Sequence, residues 1–365
     1  MLKRPIIILF FIFQFTVVFS QQESPWAFAM GYRYGFIFPH RSSIAYLIQH
    51  HITAIDITVS KQLANHEKWE KWYRYPNVGG GLYWANLGNA NYLGNVFAAY
   101  GFMDIPFTWK TKGVRFSYSI ASGLAYLTRH FDVKDNYYNI AIGSSLNAYA
   151  DFGLMVHHSF QYMDIAAGIC YTHYSNGAWS KPNLGLNVPS VKLNASFLTK
   201  PFIPSPSIKD TLSHKNYFIS IMLAGGIRQN SQPDQRHFFA STLAVNLEKE
   251  LSVRRKVGIG LDVFYDPSIP PRMAEYAEVT PSSPYVRMGL RLSHDLIFNH
   301  FSITMQAGSY FYDPDLPDGY IYSRVGLRYK INARLEFDLL LKTHFVKADL
   351  VEFGVSFFPY SFQRK

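Results

Sequence analysis

The sequence predicts an all-β fold, namely a transmembrane antiparallel β-barrel of the outer-membrane type with about 14 to 16 strands. Three observations lead to this prediction. Apolar residues alternate with polar or small ones along many segments, and the connections between those segments are alternately short and long. Beyond the N-terminus, no apolar run reaches the roughly 18 residues typical of a membrane-spanning helix, although 48% of the chain is hydrophobic and 17% is aromatic. Cys170 is the single cysteine, so the fold must close by backbone pairing and burial without disulfides.

The N-terminus has the features of an export signal. Lys3 and Arg4 precede an apolar run that extends to Phe19, and the small residue Ser20 follows. The run is too short for a membrane anchor helix. We therefore expect residues 1–20 to be a cleaved signal peptide, and residues 21–365 to form a single outer-membrane β-barrel domain.

The alternation is cleanest between Val114 and Leu127. One face of this segment is apolar, and the other is polar or small because it carries Arg115, Ser117 and Ser119. The same period of two returns at 257–263, 286–292, 335–341 and 351–357. Charged residues recur on the second face, where they would line a lumen, and aromatic residues stand at strand ends as in interfacial girdles.

The connections are short at 63–67, 252–256 and 330–333, and long at 76–92, 176–186 and 267–284. This pattern is typical of the periplasmic turns and outer loops of a membrane barrel. Gly79-Gly80-Gly81 falls in one long connection and indicates a flexible outer loop. The Pro-rich link at 201–213 is an exception, since it is long where a short turn is expected. By this count 161–175 is the seventh strand and ends at the outer surface.

The charge balance is basic, with 35 Lys and Arg against 25 Asp and Glu. Removal of the expected signal peptide leaves an excess of about 8 positive charges, spread along the chain. Basic loops facing a phosphate-bearing lipid surface explain this excess, and so does ordinary solubility. Nucleic acid is not an expected partner of an exported, aromatic-rich chain.

A histidine and a serine stand two residues apart at the end of the seventh predicted strand. Side chains alternate across a strand, so His173 and Ser175 share one face while Tyr174 points to the other. The shared face also carries the apolar residues Met163, Ile165, Ala167, Ile169 and Tyr171. We therefore expect the pair to look outward into the membrane. An imidazole that accepts the serine proton would make the hydroxyl a nucleophile, although two polar girdle residues near an aqueous loop give the same pattern.

The segment His173-Tyr174-Ser175-Asn176-Gly177, followed by Pro182-Asn183-Leu184-Gly185-Leu186-Asn187, resembles the signature of the outer-membrane lipid A 3-O-deacylases, also called PagL-type enzymes or acyloxyacyl hydrolases. The resemblance implies a serine esterase that removes an ester-linked acyl chain from lipid A, the lipid part of lipopolysaccharide, in the outer leaflet. It implies no cofactor and no metal. His173 would be the general base and Ser175 the nucleophile. Asn176 and Gly177 would belong to the oxyanion hole, with Gly177 allowing the chain to turn.

One position departs from that family. Its better-known members carry a Glu twelve residues after the nucleophile to orient the histidine, and this chain has Asn187. Three readings are open. Asn187 accepts the imidazole N–H through its carbonyl, a carboxylate such as Asp151 or Asp56 does so from a neighbouring strand, or the enzyme is impaired.

Other interpretations compete with the esterase. The neighbouring pairs His50-His51 and His157-His158 suggest metal binding, but adjacent residues on a strand point to opposite faces and cannot chelate one ion. A barrel of about 14 or more strands could enclose an aqueous pore. A lipopolysaccharide-binding barrel without activity is the third function class.

Overall fold

The computed structural model of the protein describes residues 24–64, 67–108, 113–201, 216–275, 283–315, 319–345 and 347–363. The expected signal peptide at residues 1–20 and most of the Pro-rich link at 201–213 lie outside the described residues.

The described part of the chain contains sixteen antiparallel strands, which form two closed barrels of eight strands each. The strands of the N-terminal barrel are β1 (Trp26–Gly35), β2 (Ile52–Gln62), β3 (Asn77–Asn86), β4 (Asn95–Pro106), β5 (Val114–Leu127), β6 (Leu146–Ser159), β7 (Met163–Ser175) and β8 (Leu186–Leu198). Those of the C-terminal barrel are β9 (Asn216–Arg228), β10 (Phe238–Ser252), β11 (Arg255–Tyr265), β12 (Val286–Phe298), β13 (Phe301–Tyr312), β14 (Ile321–Lys330), β15 (Leu335–His344) and β16 (Lys347–Gln363). Three short helical segments lie between strands: a 3-10 helix (Ser42–Leu47), α1 (Lys68–Trp72) and α2 (Ile269–Met273).

The strand number agrees with the expected 14 to 16, but the single barrel domain expected over 21–365 does not form. The first barrel closes when β8 returns to pair with β1, from Ala27 opposite Leu198 to Gly35 opposite Ser190. The second closes when β16 pairs with β9. Alternation of apolar and polar residues is the same whether a sheet closes after eight strands or after sixteen, so the pattern could not distinguish the two arrangements.

The outer walls are apolar, as the alternation predicts, and the interiors carry buried charged residues together with small and aromatic ones. Outward residues such as Leu223 and Leu292 are 63% and 66% exposed, which is typical of a wall that faces lipid. Within the described ranges, the helices are all too short or too polar to cross a bilayer.

The lumen of the N-terminal barrel contains a buried ion network below an apolar plug. The Arg33 guanidinium donates to both carboxylate oxygens of Asp56, at 2.7 and 2.9 Å, and to Asp151 at 2.7 Å. Toward the end that carries the 176–185 loop, which we call the outer end, Ile44 and Leu47 of the 3-10 helix are buried in a cluster with side chains from the strands. A cavity of about 130 Å³ remains in the lumen.

The lumen of the C-terminal barrel is filled by alternating positive and negative side chains. Arg324 donates to Asp262 at 3.0 Å and to Glu352 at 2.7 Å. Arg328 is held between Glu248 and Asp295 at 3.0 and 2.9 Å. The interior of an eight-stranded barrel is just wide enough for side chains to fill, and charged side chains occupy this one.

The glycines 79 to 81 do not form the expected outer loop, since they lie inside β3. A Cβ on Gly81 would come within 2.6 Å of the Tyr100 ring on β4, so the aromatic side chain occupies the space that a larger residue would need. The run of glycines therefore predicted a loop, but these residues lie in a strand. Glycine is needed there because a side chain from the neighbouring strand fills the space beside it.

Candidate active site

The antiparallel pairing of β7 with β8 builds the centre of the site. The register places His173 directly opposite Asn187, and the loop 176–185, which we call the motif loop, connects the two strands. His173 and Ser175 have the same parity as the exposed residues Ile165, Ile169 and Tyr171, whereas Tyr174 is fully buried in the barrel. His173 and Ser175 therefore lie on the outward face of β7, as expected.

His173 lies within hydrogen-bond distance of both expected partners. Its Nδ1–H donates to the Asn187 Oδ1 at 2.6 Å, and its Nε2 accepts from the Ser175 hydroxyl at 3.0 Å. Ser175 is 6% exposed, so bulk water has little access to the hydroxyl. This is the geometry of a nucleophile, a base and a residue that orients the base.

A second histidine, His40, extends this chain. The Asn187 Nδ2 donates to the His40 Nδ1 at 2.9 Å, and the His40 Nε2–H donates to the carbonyl of Leu184 at 3.0 Å. The backbone fixes this contact as well, because the Phe38 N–H donates to the Asn187 carbonyl at 2.8 Å. Sequence reasoning missed His40, which lies 147 positions from Asn187 and belongs to no motif.

The side chain of Asn176 holds the motif loop together. Its Nδ2 donates to the Ser144 Oγ at 3.0 Å and to the Ser180 carbonyl at 2.8 Å, and its Oδ1 accepts from the Ala178 N–H at 3.1 Å. A primary amide has two donor hydrogens, so both are used within the protein. Gly177 has a φ of +64°, which allows the chain to reverse two residues after Ser175.

The two carboxylates considered as alternatives to Asn187 do not face the histidine. Asp56 and Asp151 both point into the lumen, where they bind Arg33. The reading in which a carboxylate from a neighbouring strand orients His173 is therefore wrong for these two residues. His157 and His158 point to opposite faces, as expected, with His157 buried in the lumen and His158 exposed.

A second arrangement of serine, histidine and aspartate lies inside the N-terminal barrel. The His157 ring is 2.8 Å from the Ser117 Oγ and 2.7 Å from an Asp164 oxygen. However, the Ser117 hydroxyl donates to Asp104 at 2.5 Å and the side chain has no exposure, so its proton is bound to a carboxylate and no ester could reach it. We interpret this cluster as a structural ion network.

Comparisons with known proteins indicate the family of the chain. A family model described as lipid A 3-O-deacylase (PagL) matches residues 54–196, and one described as acyloxyacyl hydrolase, C-terminal domain, matches residues 217–364. Together they cover about four-fifths of the chain. The chain belongs to the PagL family. Membership indicates an outer-membrane protein and an ester-hydrolysing enzyme.

The solved structures similar to this PagL-family chain are distant. The crystal structure of the outer membrane enzyme PagL is 13% identical, with a TM-score of 0.35, and covers 46% of this chain and 97% of its own. A mutant of the Rh. blastica porin is 8% identical, with a TM-score of 0.18, and covers 91% of this chain and 99% of its own. OccAB4 of Acinetobacter baumannii is 7% identical, with a TM-score of 0.28, and covers 94% and 99%. No curated protein matches the chain.

Proposed function

We propose that this protein is a serine esterase that hydrolyses an ester-linked acyl chain of lipid A in the outer leaflet of the outer membrane. The observation that carries the proposal is the hydrogen-bonded series Ser175, His173, Asn187 on the lipid-facing side of β7 and β8. The family model describes 3-O-deacylation, and we assign the same ester to this chain.

In the proposed reaction, the Ser175 oxygen attacks the ester carbonyl carbon while the His173 Nε2 takes the hydroxyl proton. The tetrahedral oxyanion collapses and expels the sugar oxygen, which receives that proton from His173. A water molecule, deprotonated by the same nitrogen, then attacks the acyl-serine, and the fatty acid leaves with Ser175 restored.

The oxyanion requires hydrogen-bond donors next to the nucleophile. In the described residues the backbone N–H of Gly177 has no hydrogen-bond acceptor, whereas the Asn176 amide is engaged in the motif loop. We assign the donor role to the Gly177 N–H, and to Asn176 the role of holding the loop in which that N–H is presented.

Asn187 takes the orienting position without a charge. Its carbonyl holds His173 with the proton on Nδ1, which leaves Nε2 free to accept from Ser175. His40 accepts the Asn187 amide, so the four hydrogen bonds from Ser175 to Leu184 all run in one direction. The proposal assigns His40 as a positioning residue for Asn187.

The test is the mass of lipid A from cells that express the protein. We expect the loss of one acyl chain, with fragmentation showing that the 3-O ester was cleaved, and no loss with Ser175→Ala or His173→Ala. A barrel that only binds lipopolysaccharide would retain lipid A on purification and leave its mass unchanged. Full deacylation by Ser175→Ala would remove the serine from the mechanism.

A further inference from the structure

The C-terminal barrel touches the motif loop of the N-terminal barrel beside the nucleophile. A single eight-stranded barrel already supplies Ser175, His173, Asn187 and His40. The contacts between the barrels indicate what the other half of the chain contributes.

Gln229, which follows β9, binds the motif loop at two points. Its backbone N–H donates to the Ala178 carbonyl at 3.0 Å, and its side-chain Oε1 accepts from the Lys181 N–H at 2.8 Å. The Nε2 of the same side chain donates to the Asp234 carbonyl at 2.7 Å, which fixes the amide in the C-terminal barrel. Gln229 is 3% exposed, so water does not compete for these bonds.

Val351, at the outer end of β16, packs against the motif loop from the same side. A Cβ built on Gly177 would stand 2.2 Å from a methyl carbon of Val351, so the glycine backbone lies directly against this side chain. Gly177 is two positions after Ser175 and carries the N–H that we assign to the oxyanion. Packing of Val351 therefore limits the movement of the Gly177 peptide from one side. The hydrogen bonds of Gln229 hold the motif loop from Ala178 onward.

The two barrels are also joined at the opposite end. The Tyr73 hydroxyl donates to the carbonyl of Ile297 at 2.9 Å, and the Tyr73 ring lies 4.4 Å from the ring of Phe298. Tyr73 and Phe298 are both buried, together with Ile105. Contacts at both ends restrict tilting of one barrel against the other. The C-terminal barrel therefore stays packed against the same side of the motif loop.

We propose that the C-terminal barrel is a brace for the catalytic loop, and that Gln229 and Val351 are positioning residues that hold the Gly177 peptide in the orientation needed to bind the oxyanion. This inference rests on the proposed function. A displacement of about 1 Å in such a group can cost on the order of a hundredfold in rate. The brace therefore acts on the rate of the chemical step and not on substrate binding.

The test uses the full-length protein, purified in detergent, with Gln229→Met, Val351→Ala and the control Gln235→Met. Methionine keeps the length and volume of Gln229 but cannot accept from the Lys181 N–H. Gln235 lies in the same outer loop and is exposed, and its side chain donates to the nearby Gln232 carbonyl at 2.7 Å. Two readouts are measured: kcat and KM on lipid A, and the rate at which a fluorophosphonate probe labels Ser175.

We expect Gln229→Met and Val351→Ala to lower kcat and the labelling rate about tenfold or more, with KM within about twofold of wild type. Gln235→Met should behave as wild type, and heat-modifiable migration on gels should show that all variants remain folded. Wild-type kcat and labelling in both brace variants would overturn the proposal. Equal inactivity of wild type and Ser175→Ala would instead contradict the proposed function, so the two failures can be told apart.

Discussion

At the scale of single residues, the chain uses an uncharged amide where its family signature has a carboxylate. An amide can orient a histidine with either its oxygen or its NH2 group, and only the oxygen gives the tautomer that accepts the serine proton. His40 settles this choice, because its Nδ1 accepts from the Asn187 NH2 and so turns the oxygen toward His173. The loss of charge is thus partly offset by a fixed orientation.

Replacement of His40 tests this argument. We expect His40→Ala to lower kcat about tenfold to a hundredfold, because the Asn187 amide can then rotate and present its NH2 to His173. His40→Gln should retain most of the activity, since its side-chain carbonyl can accept from the same NH2. Steady-state kinetics on lipid A give the comparison, and equal activity of His40→Ala and wild type would show that the amide orientation does not depend on His40.

Removal of the Asn187 side chain should have a larger effect than removal of His40. Asn187→Ala leaves His173 without an acceptor for Nδ1–H, and we expect kcat to fall by about a hundredfold or more with KM little changed. The same assay measures it. Unchanged activity would remove Asn187 from the mechanism.

Sequence reasoning predicted the parity of His173 and Ser175 because strand alternation is a local property. It also pointed to Asn187 as a partner of His173 from its place in the signature, and the two side chains are hydrogen-bonded, while the catalytic role of Asn187 stays a prediction. It did not find His40, since the segment before the 3-10 helix reaches Asn187 only after β8 has paired with β1. Contacts that form only when the barrel closes leave no local pattern in the sequence.

At the scale of elements, the strands depend on buried ion networks as much as on backbone pairing. Arg33 on β1 binds carboxylates from β2 and β6, so one guanidinium links three strands across the lumen. A buried charge that loses its partner costs several kcal/mol, and here two carboxylates share the same partner.

Arg33→Met should therefore destabilise the N-terminal barrel strongly. We expect a loss of about 3–5 kcal/mol in the free energy of unfolding, because Asp151 would remain buried without its cation and Asp56 would keep only Lys192, 3.4 Å away. Urea unfolding in detergent, followed by heat-modifiable migration on gels, measures this. Arg41→Met, at an exposed position before the 3-10 helix, is the matched control and should stay within about 0.5 kcal/mol of wild type.

At the scale of the whole molecule, the sixteen strands form two filled barrels where the sequence analysis expected one. The wall residues were predictable in each strand, but the choice of closing partner was not, because β8 could pair with β1 or with β9 under the same alternation. The sequence did contain one sign of the division: the long Pro-rich link at 201–213 falls between the two barrels, where a short turn was expected.

The pore interpretation predicts ion conductance, and the two-barrel structure predicts none. Buried side chains, among them Ile44 and Leu47, plug the N-terminal lumen toward its outer end, and Arg324 and Arg328 with their carboxylates fill the C-terminal lumen. We expect purified protein in planar bilayers to show no current above the leak, with a porin as positive control. Stable conductance steps would contradict this account of both lumens.

The contact between Gln229 and the motif loop has a consequence for biogenesis. Gln229 and Val351 belong to the second barrel, so both barrels must be in place before the motif loop is secured from that side. A hydrolase that matured strand by strand would be free to attack lipids while still unfinished. Under the proposed brace, full activity requires β16, which carries Val351, so the chain reaches its full rate only when both barrels have formed.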